Sequence, residues 1–323
     1  MGMGVVKQLF GHLWTIGPSL RHRARPWTAP PAQPWSTTLH DPEVGAFELQ
    51  GALHRNEDRP ARGLCVAIHG LGGSIDSHYM IRTARAALAA GLDCLRLALR
   101  GADRLGADFY HAALTADVEA ALRSPALADY RDLFVVGYSL GGHLALSHGL
   151  APSDPRLRAV ASVCAPLDLA AAGAAIDHPR AAVYCGHVLS GLKQIYTEVA
   201  RRRPVPTPLA SVLRVRTIRA WDRLAVVPRF GFASVDDYYQ RVSVGPRLAD
   251  VQVPTLVVSA RADPMIPAAT IAPHVERLTG LASHRWLEHG GHIGFPGGAL
   301  LGLRGAPSGL QGQVIAWLRQ QGG

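Results

Sequence analysis

The chain has 323 residues and a mass of 34.4 kDa, is 48% hydrophobic and 18% charged, and carries a formal net charge of +9. This composition excludes a disordered or fibrous chain, and the length suits one α/β core carrying an insertion. No run approaches the ~20 apolar residues of a membrane span, and no apolar stretch of signal-peptide length precedes the basic, Pro-rich start, so a soluble cytoplasmic protein is expected. Lys7 and Lys193 are the only lysines, so nearly all the positive charge is arginine. No nucleic-acid motif accompanies it, which makes a solvated arginine-rich surface the simpler reading, with peripheral contact to an anionic membrane left open. Cys65, Cys94, Cys164 and Cys185 have no metal-ligand spacing, and the first three lie in or beside apolar strand-like runs, as buried reduced thiols do.

Residues 1–35 read as an extension on the body, with a weakly amphipathic pattern over 5–16 and an extended basic, Pro-rich segment over 21–35. Residues 35–40 and 44–54 read as an edge strand pair, and 56–62 as a polar turn. From there apolar strands alternate with helices: strand 64–68, helix 79–90, strand 93–99, helix 112–123, strand 133–136, helix 140–150, strand 158–164. Such alternation predicts a mostly parallel sheet covered on both faces. About 170–245 breaks the pattern with an aromatic cluster, Trp221, Phe230, Phe232, Tyr238 and Tyr239, and reads as a helical lid inserted after the sixth strand. Strand 253–259, helix 268–279, strand 284–287 and helix 311–319 complete the body, with a long Gly-rich surface loop over 290–309.

The chemistry centres on Gly137-Tyr138-Ser139-Leu140-Gly141-Gly142. Between a buried strand and a helix, this sequence reads as a nucleophile elbow: the glycines allow a tight turn, and Ser139 stands at its tip. A serine hydroxyl needs a base in reach and a group that orients the base. Asp263, just past strand 253–259, and His292, just past strand 284–287, follow in the expected order at the carboxyl ends of their strands. Asp168 is a rival acid whose simpler role is capping the following helix. His289 is a rival base, set aside because Gly290-Gly291 gives His292 a flexible approach. His143 and His148 read as packing or surface histidines. The N–H groups of Leu140 and of Leu71, in the loop His69-Gly70-Leu71-Gly72-Gly73-Ser74, are the candidate oxyanion donors. That loop lacks the Gly-Lys-Ser/Thr of a phosphate-binding P-loop.

Together these motifs resemble the YheT-like branch of the α/β-hydrolases, the group that contains ABHD-type lipid esterases. The likeness extends across most of the chain. It includes His12-Leu13-Trp14-Thr15, the His69 loop with Ser77 and Tyr79, Arg100-Gly101 with Tyr110-His111, the elbow, Asp222, Gly231-Phe232, Asp237-Tyr238-Tyr239, Asp263-Pro264 and His289 to Phe295. Trp14 and Ala102 stand where the branch usually has Gln and Cys. The resemblance implies an α/β-hydrolase fold and cleavage of carboxylic esters, with short-acyl esters or acylglycerol-type lipids as substrates. The expected enzyme is thus a serine esterase with Ser139, Asp263 and His292 as its triad, needing no metal or organic cofactor. Two alternatives remain open: transfer of the acyl group to an alcohol, and a non-catalytic module that binds lipid or a membrane surface.

Overall fold

A computed structural model describes residues 3–56, 61–276 and 278–323. Among the described residues, eight strands form one sheet: β1 (Gln33–Asp41), β2 (Gly45–His54), β3 (Gly63–Ile68), β4 (Asp93–Leu97), β5 (Asp132–Tyr138), β6 (Leu157–Val163), β7 (Thr255–Ala260) and β8 (Ala282–Leu287). Their order is β1-β2-β4-β3-β5-β6-β7-β8. β1 and β2 form an antiparallel hairpin that pairs antiparallel with β4. All other neighbours are parallel, which sets the carboxyl ends of β3 and β5 to β8 on one edge.

The central strands are apolar throughout because both sheet faces are covered. Leu64, Val66 and Ile68 of β3 enter one core cluster, while the alternating Cys65 and Ala67 enter another. α1 (Met3–Ala24) precedes the sheet. α2 (His78–Ala89) packs Met80, Ala84 and Ala87 on the second face. α3 (Ala116–Leu122) and α4 (Leu140–Leu150) turn Val118 and Leu144 to the first. Each fully buried Val, Leu, Ile or Met among them contributes about 1.5–3 kcal/mol.

The lid follows β6 and comprises α5 (Leu169–Asp177), α6 (Ala182–Arg202), α7 (Leu209–Leu213), α8 (Ile218–Trp221), a π-helical turn (Asp222–Val226), α9 (Val227–Phe230) and α10 (Val235–Val242). Two devices seat it. The buried His143 ring of α4 lies 2.7 Å from the Pro166 carbonyl and 3.1 Å from that of Val242, at the two ends of the insertion, and its one N–H donates to one of them. Arg229 of α9 meets Asp108 at 2.7 Å, Asp41 at 2.9 Å and Glu43 at 2.8 Å. Arg100, fully buried, also reaches Asp41 and Asp108 and holds Asp117 of α3 at 2.7 Å. Lid, hairpin and α3 therefore share one ion-pair network. Beyond the lid come α11 (Ala268–Val275) and α12 (Leu310–Arg319). α12 adds Val314, Ile315 and Leu318 to the face that α2 covers.

Several boundaries differ from the sequence expectation for identifiable reasons. α1 runs through Pro18 to Ala24, well into the segment expected to be extended, because its face packs on the body. The polar turn at 56–62 lies mostly outside the described residues. β4 ends at Leu97, as the Leu99 N–H goes to the His69 ring instead. α3 begins only at Ala116, and ahead of it the Ala112 N–H donates to the Tyr238 hydroxyl of the lid. α11 ends at Val275, two residues beyond its internal Pro273. The 290–309 loop is irregular but not merely surface: Phe295, Ala299 and Leu301 are buried, and the Gln313 amide oxygen accepts the Leu301 N–H. No helix among the described residues is long and apolar enough to cross a membrane. All four cysteines are buried and free.

Candidate active site

β5, buried along its length, delivers the chain to Ser139. Ser139 has φ 54° and ψ −121°, and its N–H donates to the Val163 carbonyl at 2.8 Å. A Cβ on Gly137 would fall on the Gly141 carbonyl, and one on Gly141 on that of His69. Strand, turn and helix therefore cross at distances only glycine permits. Leu140 opens α4, so its N–H has no helical carbonyl one turn earlier and belongs to the positive end of the helix dipole.

Asp263 and His292 come to Ser139 from the ends of β7 and β8. Asp263 Oδ2 lies 2.8 Å from His292 Nδ1, and its Oδ1 accepts the N–H groups of Met265 and Ile266 at 2.8 and 2.9 Å. A carboxylate at Nδ1 keeps the proton there and leaves Nε2 as the acceptor. The Ser139 hydroxyl stands 2.8 Å from Nε2 and donates to it. Both the imidazole and the carboxylate are almost fully buried. The rivals lie elsewhere. Asp168 caps α5 by accepting the Ala171 N–H at 2.9 Å, His289 is exposed, and His143 and His148 are buried in packing.

The loop after β3 lies against the elbow: a Cβ on Gly70 would stand 3.1 Å from Ser139 Cβ. Gly70 N–H donates to the Tyr79 hydroxyl at 3.1 Å, and Gly72 N–H to the Tyr110 hydroxyl at 2.9 Å. The two tyrosines thus hold the loop on either side of Leu71. His69 supports it from behind. Leu99 N–H donates to Nε2 at 3.2 Å, so Nδ1–H donates to the Gly70 carbonyl at 2.8 Å. Burial pulls the pKa of this ring down to about 4, which keeps it neutral.

The sequence profile of the alpha/beta hydrolase family matches residues 65–298. YheT of Escherichia coli (strain K12), a candidate esterase, is 33% identical over 298 residues, which are 90% of this chain and 85% of that one. The chain belongs to the alpha/beta hydrolase family, in its YheT-like branch. Human phospholipase ABHD3 is 24% identical over 276 residues, covering 82% of this chain and 68% of its own. Among solved structures, 2,6-dihydroxy-pseudo-oxynicotine hydrolase aligns with a TM-score of 0.55 at 16% identity, over 94% of this chain and 72% of its own, a likeness of fold.

In this α/β hydrolase a cavity of about 600 Å³ opens at Ser139, Leu140, Leu71 and His292. Under the lid its wall is mainly apolar, from Leu169, Ile176, Ile218, Trp221 and Val226. Asp222 and Tyr239 form a polar pair in that wall, with the Tyr239 hydroxyl donating to Asp222 Oδ2 at 2.6 Å. Burial raises the Asp222 pKa to about 7. At the other end, Ile16, Leu20, His22 and Arg23 of α1 form part of the rim.

Three features of the site have no local sequence signal. The first is backbone strain. Among the described residues, the non-glycine residues with left-handed φ are Arg104, Ser139, Cys164 and Ile293. Three of them line the cavity, and the Cys164 thiol lies 3.8 Å from the Gly291 carbonyl of the histidine loop. Each such residue costs on the order of 1–3 kcal/mol, held by the surrounding packing. The second is Thr15 of α1, whose hydroxyl accepts the His292 N–H at 2.8 Å and donates to the Gly11 carbonyl at 2.8 Å. Gly11 and Gly291 make that approach possible, since a Cβ on Gly291 would fall on the Gly11 carbonyl. The third is the pair of tyrosine hydroxyls on the Leu71 loop. Cys164, Asp263 and His292 also place donor atoms within 4.8 Å of one another, the spacing of a metal site. Asp263 and His292 are committed to each other, to Ser139 and to backbone N–H groups, and burial raises the Cys164 pKa far enough to keep its thiol protonated.

Proposed function

We propose that this protein is a carboxylic ester hydrolase that works through an acyl-enzyme on Ser139. The observation that carries the reading is the continuous hydrogen-bonded chain from Ser139 Oγ through His292 to Asp263, 2.8 Å at each step, opening on an apolar cavity. His292 Nε2 takes the hydroxyl proton as Oγ bonds to the ester carbonyl carbon. Asp263 holds the imidazole in position and stabilises its charged form. The N–H groups of Leu71 and Leu140 bind the oxyanion. As the tetrahedral intermediate collapses, His292 returns the proton to the departing alcohol. Water, losing a proton to His292, then attacks the acyl carbon and frees the acid and Ser139.

The chain's relatives include proteins described as an esterase candidate, a phospholipase and a yeast monoacylglycerol lipase. These descriptions, with the apolar wall under the lid, support short-acyl esters or acylglycerol-type lipids as substrates. Hydrolysis of p-nitrophenyl esters from acetate to palmitate, by wild type and by Ser139→Ala, tests the proposal. Wild type should turn over a subset of chain lengths. The variant should retain only the roughly 10³–10⁴-fold advantage over water that binding and the oxyanion donors supply. Acyl mass on the peptide containing Ser139 is expected in the wild type alone. Equal rates in the two proteins would overturn the mechanism, and ethyl ester formation in added ethanol would assign the acyl-enzyme to transfer rather than hydrolysis.

A further inference from the structure

α1 has two faces with opposite properties. Gly11, Thr15 and Pro18 lie against the loops at Ala262, Gly291 and Gly294 and fix the helix to the body. The other face carries Leu9, Leu13, Ile16 and Leu20, which recur every three or four residues and so form one stripe. These side chains are out in solvent: Leu9 is 59% exposed, Leu13 57% and Leu20 56%. Among the described residues, ten large apolar side chains are exposed, and five of them, Phe10 included, stand on this helix. Docking to the body does not require the stripe, because docking uses the opposite face. An apolar row of this size left in water marks an interaction site.

Two further observations identify what the stripe meets. Arg21, Arg23 and Arg25 are exposed at the end of the same helix. Among the described residues, none of the three is in a salt bridge with a carboxylate. A two-fold contact between copies of this chain would bring those like charges together, whereas anionic headgroups would neutralise them. The stripe also continues into the cavity. Ile16, Leu20 and Arg23 form part of its rim, and so does Val183, 75% exposed at the start of α6.

We propose that the Leu9–Leu13–Ile16–Leu20 face of α1 docks on an anionic lipid surface and places the cavity mouth against it. An acyl chain then passes from the lipid phase to Ser139 without crossing water. The docking stands on the helix alone; the delivery rests on ester cleavage at Ser139.

Flotation with vesicles of phosphatidylcholine, with and without about 30% phosphatidylglycerol, tests the docking. Wild type and Ser139→Ala should float alike with the anionic vesicles and weakly with the neutral ones. The double variant Leu9→Asp, Leu13→Asp should lose binding about tenfold or more. Neither position lines the cavity, so hydrolysis of soluble p-nitrophenyl butyrate should be unchanged, while turnover of a vesicle-embedded ester falls with the binding. Wild type failing to float with anionic vesicles, or the double variant floating as well as wild type, overturns the proposal. So does a wild-type dimer that does not float and that the double variant converts to monomer, because the face then belongs to a second copy. Flotation in a wild type that hydrolyses no ester would uphold the docking and remove the proposed reaction.

Discussion

Thr15 is the residue whose role local sequence hides most completely. Its hydroxyl is the acceptor for the His292 N–H, and Ile293 beside it is held in a left-handed conformation. Replacing Thr15 by Val keeps the volume and removes the acceptor. The histidine loop then relaxes, and kcat on a soluble ester should fall roughly tenfold, the scale of a small misplacement of a reacting group. KM should change little, and Thr15→Ser should restore most of the rate. A KM effect of the same size as the kcat effect would mean that Thr15 shapes the cavity instead of the base. Ser139, Asp263 and His292 are legible as neighbours because each lies in the loop or turn after a strand, and parallel strands carry such residues to a common edge. Thr15, Tyr79 and Tyr110 are not legible as supports. Each acts through a single hydroxyl on a distant backbone N–H, and no pattern around a hydroxyl residue announces that partner.

At the level of elements, the lid is held by apolar packing of its helices into the core and by a shared charge network. Arg229 and Arg100 share Asp41 and Asp108, so the β1–β2 hairpin, α3 and the lid meet at two guanidinium groups. Removing Arg229 leaves buried carboxylates short of a partner. Arg229→Met should therefore destabilise the protein by about 3–5 kcal/mol, and protease should cut first within 203–245. Chemical denaturation and mapped proteolysis read the two effects, and an unchanged midpoint would show that the network contributes nothing. The strands and most helices follow from apolar patterning, which is local. The end of β4 does not, because His69 captures the Leu99 N–H from 30 residues away. α1 extends through Pro18, which argues against helix locally, and its docked face prevails.

For the whole molecule, the buried titratable groups set the response to pH. Burial lowers the pKa of His69, His78 and His284 to about 4 and of His111 to about 3. Unfolded histidines bind protons near pH 6.5, so the unfolded chain gains protons first, and stability falls as the pH drops from about 6.5 to 4. Asp222 works the other way. Its folded pKa of about 7 makes the protonated form the stable one, so its contribution is complete below about 3.8 and is lost as the pH rises through 7. For Asp41, burial opposes the charge, but Arg100, two backbone N–H groups and Arg229 outweigh it and hold the pKa at about 2. Its contribution is lost only as the pH falls from about 3.8 through 2. The histidines outnumber Asp222, so thermal midpoints should drop from pH 7 to pH 4. Asp222→Asn should be more stable than wild type at pH 8, with the gap closing toward pH 4. A gap independent of pH would show that Asp222 is ionised throughout.

Thr15 and His292 are also 277 residues apart in the chain. At about 5–20 residues per second, the ribosome makes His292 roughly 15–55 s after Thr15. For most of that interval α1 has neither of its docking loops, at Ala262 and Gly291, and both its apolar stripe and its glycine face are uncovered. The helix that completes the histidine loop is made long before that loop. The histidine loop therefore takes its final form only when the two segments meet.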